Sequence, residues 1–190
     1  MAKKILIVVD MQNDFITGPL GNDDCRNAVK GCVELCEDET FDNIIFTRDT
    51  HYANYLDTLE GQKLPVKHCI KDTQGWEIIP ELGKFAALAK SKAVNKETFG
   101  SMPTNDIFDL SLTDIIRFDM KGEDPTETET ELHFCGVCTS ICVLANMVIA
   151  RANWPDVKIV LHTKATGDVT PEMKQAAFIC AKAQQCELED

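Results

Sequence analysis

Positive charge is scarce in this sequence: 19 lysines and arginines face 31 aspartates and glutamates, leaving a net charge of -12 over 190 residues. Phosphate repels such a chain unless its bases cluster, and here they do not cluster, which argues against sequence-blind nucleic-acid binders and anionic-lipid binders. Long apolar runs are also missing. None approaches the ~18–20 residues that a membrane helix needs. The opening Met1-Ala2-Lys3-Lys4 has the charge of a signal n-region, but the apolar run after it, Ile5–Val9, ends at Asp10, so no secretory signal is expected. Repeats, low-complexity tracts and Pro/Gly-rich linkers are absent as well, and one domain spanning 1–190 is the expectation. Cysteine, by contrast, is abundant. Nine is an odd number, which excludes a fully paired disulfide framework, and a chain of this length buries a core without staples. Free thiols in a reducing, cytoplasmic compartment are expected.

Short apolar runs alternate with helical patterns, as in a mostly parallel sheet wrapped by helices. The fold expected is α/β, three-layer α/β/α, with a mostly parallel six-stranded sheet. Ile5–Val9 is a continuous apolar, largely β-branched run suited to a strand buried on both faces. Asp24–Glu37 carries Ala28, Val29, Cys32, Leu35 and Cys36 at helical spacing, and Asn43–Thr47 reads as the second strand. Arg48–Pro80 has little periodicity, and a long ordered loop of that kind is usually functional. A short strand is expected near Ala93–Asn95. Glu131–Val137 is a strand running directly into an apolar helix, Thr139–Ala152; Val157–Thr163 and Pro171–Ala183 follow as strand and helix. Gly122–Glu131, acidic and without apolar residues, reads as a solvated loop or hairpin tip.

Ligands of an open parallel sheet bind beyond the carboxyl ends of its strands. That rule selects Asp10 after the first strand, Asp49 and His51 after the second, Lys96 after the third, and Cys138 and Cys142 at the last strand–helix junction. Cys142 falls in the first helical turn, where unpaired N–H groups favour a thiolate; it is otherwise a small buried hydrophobe. Asp10 fits a proton acceptor or simply a turn opener. Lys96 fits a charge stabiliser or a solvated surface lysine. Asp49 and His51, two apart, share one face of an extended chain, and with Glu60 and His68 they make a donor set suited to Zn, Mn or Fe; scattered loop acids and histidines are the plain alternative. Cys135 and Cys138 have disulfide-exchange spacing but no flanking Trp or Pro. Cys32 and Cys36 read as core. His133 and His162 alternate with apolar strand residues and read as satisfied structural histidines.

Five segments, in order, resemble the cysteine hydrolases of the isochorismatase-like superfamily, and among them the nicotinamidases. They are Val9-Asp10-Met11-Gln12-Asn13-Asp14-Phe15; Thr47-Arg48-Asp49-Thr50-His51; Leu64–Cys69 with Gly75-Trp76-Glu77; Lys96-Glu97-Thr98-Phe99; and Gly136-Val137-Cys138-Thr139-Ser140-Ile141-Cys142-Val143. The resemblance implies a Cys142 nucleophile with Asp10 and Lys96. It implies a non-proline cis peptide before Cys138, and an oxyanion hole from the backbone N–H groups of Cys138 and Cys142. It also implies a divalent metal, zinc foremost with Mn or Fe as alternatives, on Asp49, His51, His68 and in some members Glu60, and a ring pocket lined by Phe15. The expected reaction is amide hydrolysis through a thioester, nicotinamide giving nicotinate and ammonia; other small amides and N-carbamoyl compounds use the same scaffold. Lys71 and Asp72 stand where a glycine is frequent, and Ile141 where an aromatic is. The expected partners are a small-molecule amide and further copies of the chain, with neither nucleic acid nor membrane.

Overall fold

In the computed structural model, which describes residues 2–88, 93–102, 110–119 and 129–190, the first strand β1 (Lys3–Val9) lies at the centre of the sheet. Its residues Ile5–Val9 are fully buried, so the β-branched run covers both faces as expected. Each such side chain contributes roughly 1.5–3 kcal/mol when removed from water. The short α1 (Asn13–Ile16) and the long α2 (Asp23–Glu37) follow; Asn22 caps α2 by accepting from Cys25 N–H at 2.9 Å. Next come β2 (Asn43–Asp49), α3 (Leu59–Lys63), α4 (Pro80–Leu88), β3 (Val94–Lys96), α5 (Leu112–Asp119) and β4 (Thr130–Val137). A π-helical turn (Thr139–Val143) leads into α6 (Leu144–Asn153), followed by β5 (Lys158–Gly167), α7 (Pro171–Ala183) and β6 (Glu187–Glu189).

The six strands pair in the order β3-β2-β1-β4-β5-β6, all parallel. Alternation sends Ile5, Ile7 and Val9 to one face, against Met147 and Ala150 of α6, Ala181 of α7 and Ile116 of α5. Leu6 and Val8 face the other way, against α2 and α4, in a layer holding Cys25, Cys32, Cys36, Cys69 and Cys135. Cys32 and Cys36 are core, as their spacing indicated. The chain leaves β1 toward β2 on one side and returns to its other side as β4. That reversal opens a crevice between the carboxyl ends of β1 and β4, where open α/β sheets bind ligands.

Several boundaries differ from those read in the sequence. β2 runs to Asp49 and β3 to Lys96, because Thr47, Arg48 and Asp49 pair with Val94, Asn95 and Lys96. Asp49 and Lys96 are therefore terminal strand residues in register with each other. β5 continues to Gly167 through a register shift opposite Phe134 and Gly136. β4 begins at Thr130, one residue before the expected strand, with Thr130 and Glu131 paired to Lys3 and Lys4; residues 122–128 of the acidic stretch lie outside the described residues.

Candidate active site

Lys96 occupies the centre of the crevice. Its Nζ is 2.6 Å from Asp10 Oδ2, 3.4 Å from Asp49 Oδ1 and 3.5 Å from Cys142 Sγ. Far from being a solvated lysine, it is buried, and so are all three partners. β1, β2, β3 and the turn after β4 each deliver one of these four side chains. Asp10 stands at φ +50°, outside the regular strand, where Thr47 Oγ1 donates to its Oδ1 at 2.6 Å. Its own N–H reaches Thr47 Oγ1 at 3.2 Å. Thr47 thus ties the Asp10 carboxylate and backbone N–H to one hydroxyl, a role its motif position did not disclose.

The electrostatics differ from expectation at one point. Burial pushes the Cys142 thiol well up; Lys96 opposes this, while the Asp10 and Asp49 carboxylates reinforce it. Desolvation and the two nearby carboxylates thus work against the thiolate that a helix terminus favours. Burial also raises Asp10, against the pull of Lys96. Lys96 loses some basicity to burial but regains more from Asp10, Cys142 and Asp49, so it stays a cation. The resting arrangement is a neutral thiol beside a carboxylate with enhanced proton affinity and one fixed positive charge.

The Val137–Cys138 peptide is cis, as the resemblance implied. Cys138 O accepts from both Ile141 N–H and Val143 N–H at 3.1 Å, leaving the intervening Cys142 amide out of that pairing. A widened π turn of this kind is frequent at functional sites. Two residues missed in the sequence hold it. Buried Asp168 accepts from Ser140 N–H at 2.7 Å and from Ser140 Oγ at 3.0 Å, and Asn146 Nδ2 donates to Cys142 O at 2.8 Å. Their only sequence signals were a carboxylate just beyond the last long strand and an amide in an otherwise apolar helix.

Asp49 joins this group to a second one. While Oδ1 faces Lys96, Oδ2 lies 2.9 Å from His51 Nε2 and 3.4 Å from His68 Nε2. Glu60 Oε1 completes the group, 3.5 Å and 3.8 Å from the same two nitrogens. All four residues come from the segment Arg48–Pro80 singled out for its lack of periodicity, with Asp49 closing β2. Ligands bound at 2.0–2.2 Å in a tetrahedral set stand about 3.4 Å apart, so these spacings fit one divalent cation. Two further observations support the fit. Buried His51 Nε2 has no aligned hydrogen-bond partner, and His68 Nδ1–H donates to Val66 O at 2.9 Å, which turns the Nε2 lone pair toward the cluster. Burial depresses His51, but Asp49 and Glu60 outweigh it and hold the imidazole up at about 9. Gln12, conspicuous in its motif but without an assigned role, donates to Asp49 O at 2.9 Å and accepts from Asp49 N–H at 2.7 Å, extending the sheet pairing with a side chain. Phe15 packs edge-on against His68, ring centroids 5.4 Å apart, and Tyr55 packs against both imidazoles.

His133 and His162 lie elsewhere, toward α2. His133 Nδ1 is 2.9 Å from His162 Nε2, and burial lowers both imidazoles, His162 to about 4. Cys135 is buried within β4, and burial raises its thiol well above the ordinary value, unlike a disulfide-exchange cysteine.

A buried cysteine, carboxylate and lysine thus meet at the switch point of a parallel sheet, beside a cluster of two histidines and two carboxylates. The family model described as "Isochorismatase domain" matches residues 4–190. The chain belongs to the isochorismatase family and is a hydrolase of its amide C–N-cleaving kind. It is 27% identical to the nicotinamidase of Saccharomyces cerevisiae over 184 residues, covering 77% of this chain and 81% of that protein. The crystal structure of nicotinamidase PncA from Bacillus subtilis superposes with a TM-score of 0.78 at 25% identity, covering 99% of both chains. A pyrazinamidase of Pyrococcus horikoshii in complex with zinc shares the fold at TM-score 0.71 and 22% identity, over 98% of both chains. Among the described residues, no helix is long and apolar enough to cross a membrane.

Proposed function

We propose that the protein is a metal-containing nicotinamidase, hydrolysing nicotinamide to nicotinate and ammonia through a thioester on Cys142. The observation carrying this reading is Asp49, whose two oxygens face Lys96 on one side and the His51–His68 pair on the other. A small planar amide with a ring nitrogen matches a thiol centre and a metal centre so closely joined. The metal, when bound by Asp49, His51, His68 and Glu60, supplies a Lewis-acidic anchor for that ring nitrogen.

Asp10 takes the thiol proton, and Lys96 offsets the negative charge left on sulfur. The sulfur attacks the carboxamide carbon, and the amide N–H groups of Cys138 and Cys142 donate to the oxyanion. Asp10 returns the proton to the departing nitrogen, so ammonia leaves and the acyl group stays on Cys142. Asp10 then deprotonates a water molecule that cleaves the thioester, releasing the acid and restoring the thiol. Phe15, beside His68, forms one wall of the ring pocket. We place the enzyme in the cytoplasm as a homo-oligomer, to be checked by fractionation and light scattering.

The test is ammonia release from nicotinamide, with and without a chelator, alongside metal analysis of the purified protein. Cys142→Ala is expected to abolish turnover and the acyl-enzyme mass adduct. Activity confined to N-carbamoyl amino acids would move the substrate to another small C–N compound, and full nicotinamide turnover in His51→Ala would overturn the metal's anchoring role.

A further inference from the structure

Away from the crevice, three strands bring a second group of metal-ligand side chains together. His133 of β4, His162 of β5 and Glu189 of β6 place one donor atom each within 4.8 Å of the others. β5 and β6 pair with His162 opposite Glu189, so the sheet itself sets part of this geometry. We propose that His133 Nδ1, His162 Nε2 and the Glu189 carboxylate form a second divalent-metal site, of zinc class, that fastens the terminal strand β6 to the sheet.

The donors have the right chemistry, two imidazoles and one carboxylate, the set of three protein ligands that zinc commonly completes with water. Two imidazole nitrogens on one zinc stand about 3.4 Å apart, so the pair, now 2.9 Å apart, opens by roughly half an ångström to admit it. An outer partner is already in place. Glu131, two residues before His133 on the same strand face, lies with Oε2 3.1 Å from His133 Nε2. With the proton on Nε2, the lone pair of Nδ1 points at His162, in the carboxylate–histidine arrangement common around bound zinc. Lys158, 3.6 Å from Glu131 and 3.4 Å from Glu187, keeps those carboxylates engaged and outside the donor set. Both histidines are buried, and Phe41 closes over them with its ring centroid 5.1 Å from that of His133. Glu189 is exposed, which leaves an entry path from solvent. β6 gains most from such a fastening, since it is a three-residue edge strand with two exposed glutamates.

The experiment uses the full chain stripped with a chelator and titrated with zinc chloride by calorimetry, with metal content measured after gel filtration. Two equivalents are expected. Glu189→Gln, at an exposed position that does not threaten folding, and His162→Gln should each weaken one of them at least tenfold. Glu131→Gln should weaken the same one about tenfold. His68→Ala should remove the other equivalent and leave this one. Zinc should also raise the Tm of the wild type more than that of Glu189→Gln. A single equivalent lost in His68→Ala, or two equivalents indifferent to both Glu189→Gln and His162→Gln, would overturn the proposal.

Discussion

Lys96→Met removes the one positive charge that Asp10, Asp49 and Cys142 share. In the native enzyme Nζ stands 3.5 Å from the sulfur. With an effective dielectric constant near 20, a unit charge at that distance stabilises the thiolate by about 5 kcal/mol, between three and four orders of magnitude in rate. The carboxylate feels the loss too. Burial already raises Asp10, and without its 2.6 Å partner its proton is held still more tightly. In the proposed mechanism Asp10 must be ionised to take the thiol proton, so the acid limb of the kcat/KM profile should move to higher pH. Leaving buried carboxylates without their counter-charge costs about 3–5 kcal/mol of stability, and urea denaturation will show whether the variant is folded under assay conditions. Two readouts are wanted: kcat/KM for ammonia release against pH, and the rate of Cys142 alkylation by iodoacetamide in a Cys180→Ser background, Cys180 being the one exposed thiol. A folded Lys96→Met enzyme with alkylation and turnover within tenfold of wild type, and an unmoved acid limb, would refute the charge-stabilisation argument.

Three further outcomes are expected. Asp168→Ala strands the Ser140 and Val169 amides, 2.7 Å and 2.8 Å from its oxygens, and should cost about 2–4 kcal/mol by denaturant unfolding while kcat falls roughly a hundredfold. Gln12→Ala unclamps the Asp49 backbone and should weaken metal binding by about 10–100-fold in a competition titration with a chromogenic chelator. Gly136→Ala forces a side chain onto a backbone at φ +109° whose Cβ would strike the Val9 carbonyl; a loss of about 2–4 kcal/mol is expected in the urea midpoint.

How far the structure could be read in advance depended on where each residue's information lay. β1 and α2 announced themselves because burial on two faces and on one stripe leaves a continuous run and a helical period. β6 did not: Glu-Leu-Glu presents one half-buried side chain between two exposed ones, a pattern common to any loop. α5 went unread, although Leu112, Ile115 and Ile116 lie in the core on one side of the sheet. The candidate site residues were legible as types at strand ends, and family motifs put them in order. Their energetics were not. The Cys142 thiol is pushed up first by its burial and then by Asp10 and Asp49 against Lys96, and the approach of Asp49 and Lys96 is decided by the β2–β3 register. Thr47 and Asp168 act through hydrogen bonds to residues far along the chain, and Asn146 through one to Cys142 a single helical turn away, none of which periodicity can reveal.

The sulfur-rich layer beneath α2 has a consequence for how the molecule's breathing can be measured. Of nine thiols, Cys180 is exposed, Cys138 is half-covered and seven are buried, five of them packed between the sheet and its α2-side helices. Each buried thiol meets a reagent only when its surroundings open, so trapping rates act as local clocks. Cys25, Cys32 and Cys36 time the detachment of α2, Cys135 times fraying at the middle of the sheet, and Cys186 times the release of the chain's end. Residue-resolved mass spectrometry of a thiol pulse on the unmodified protein would therefore return an opening free energy at several depths, with no probe engineered in.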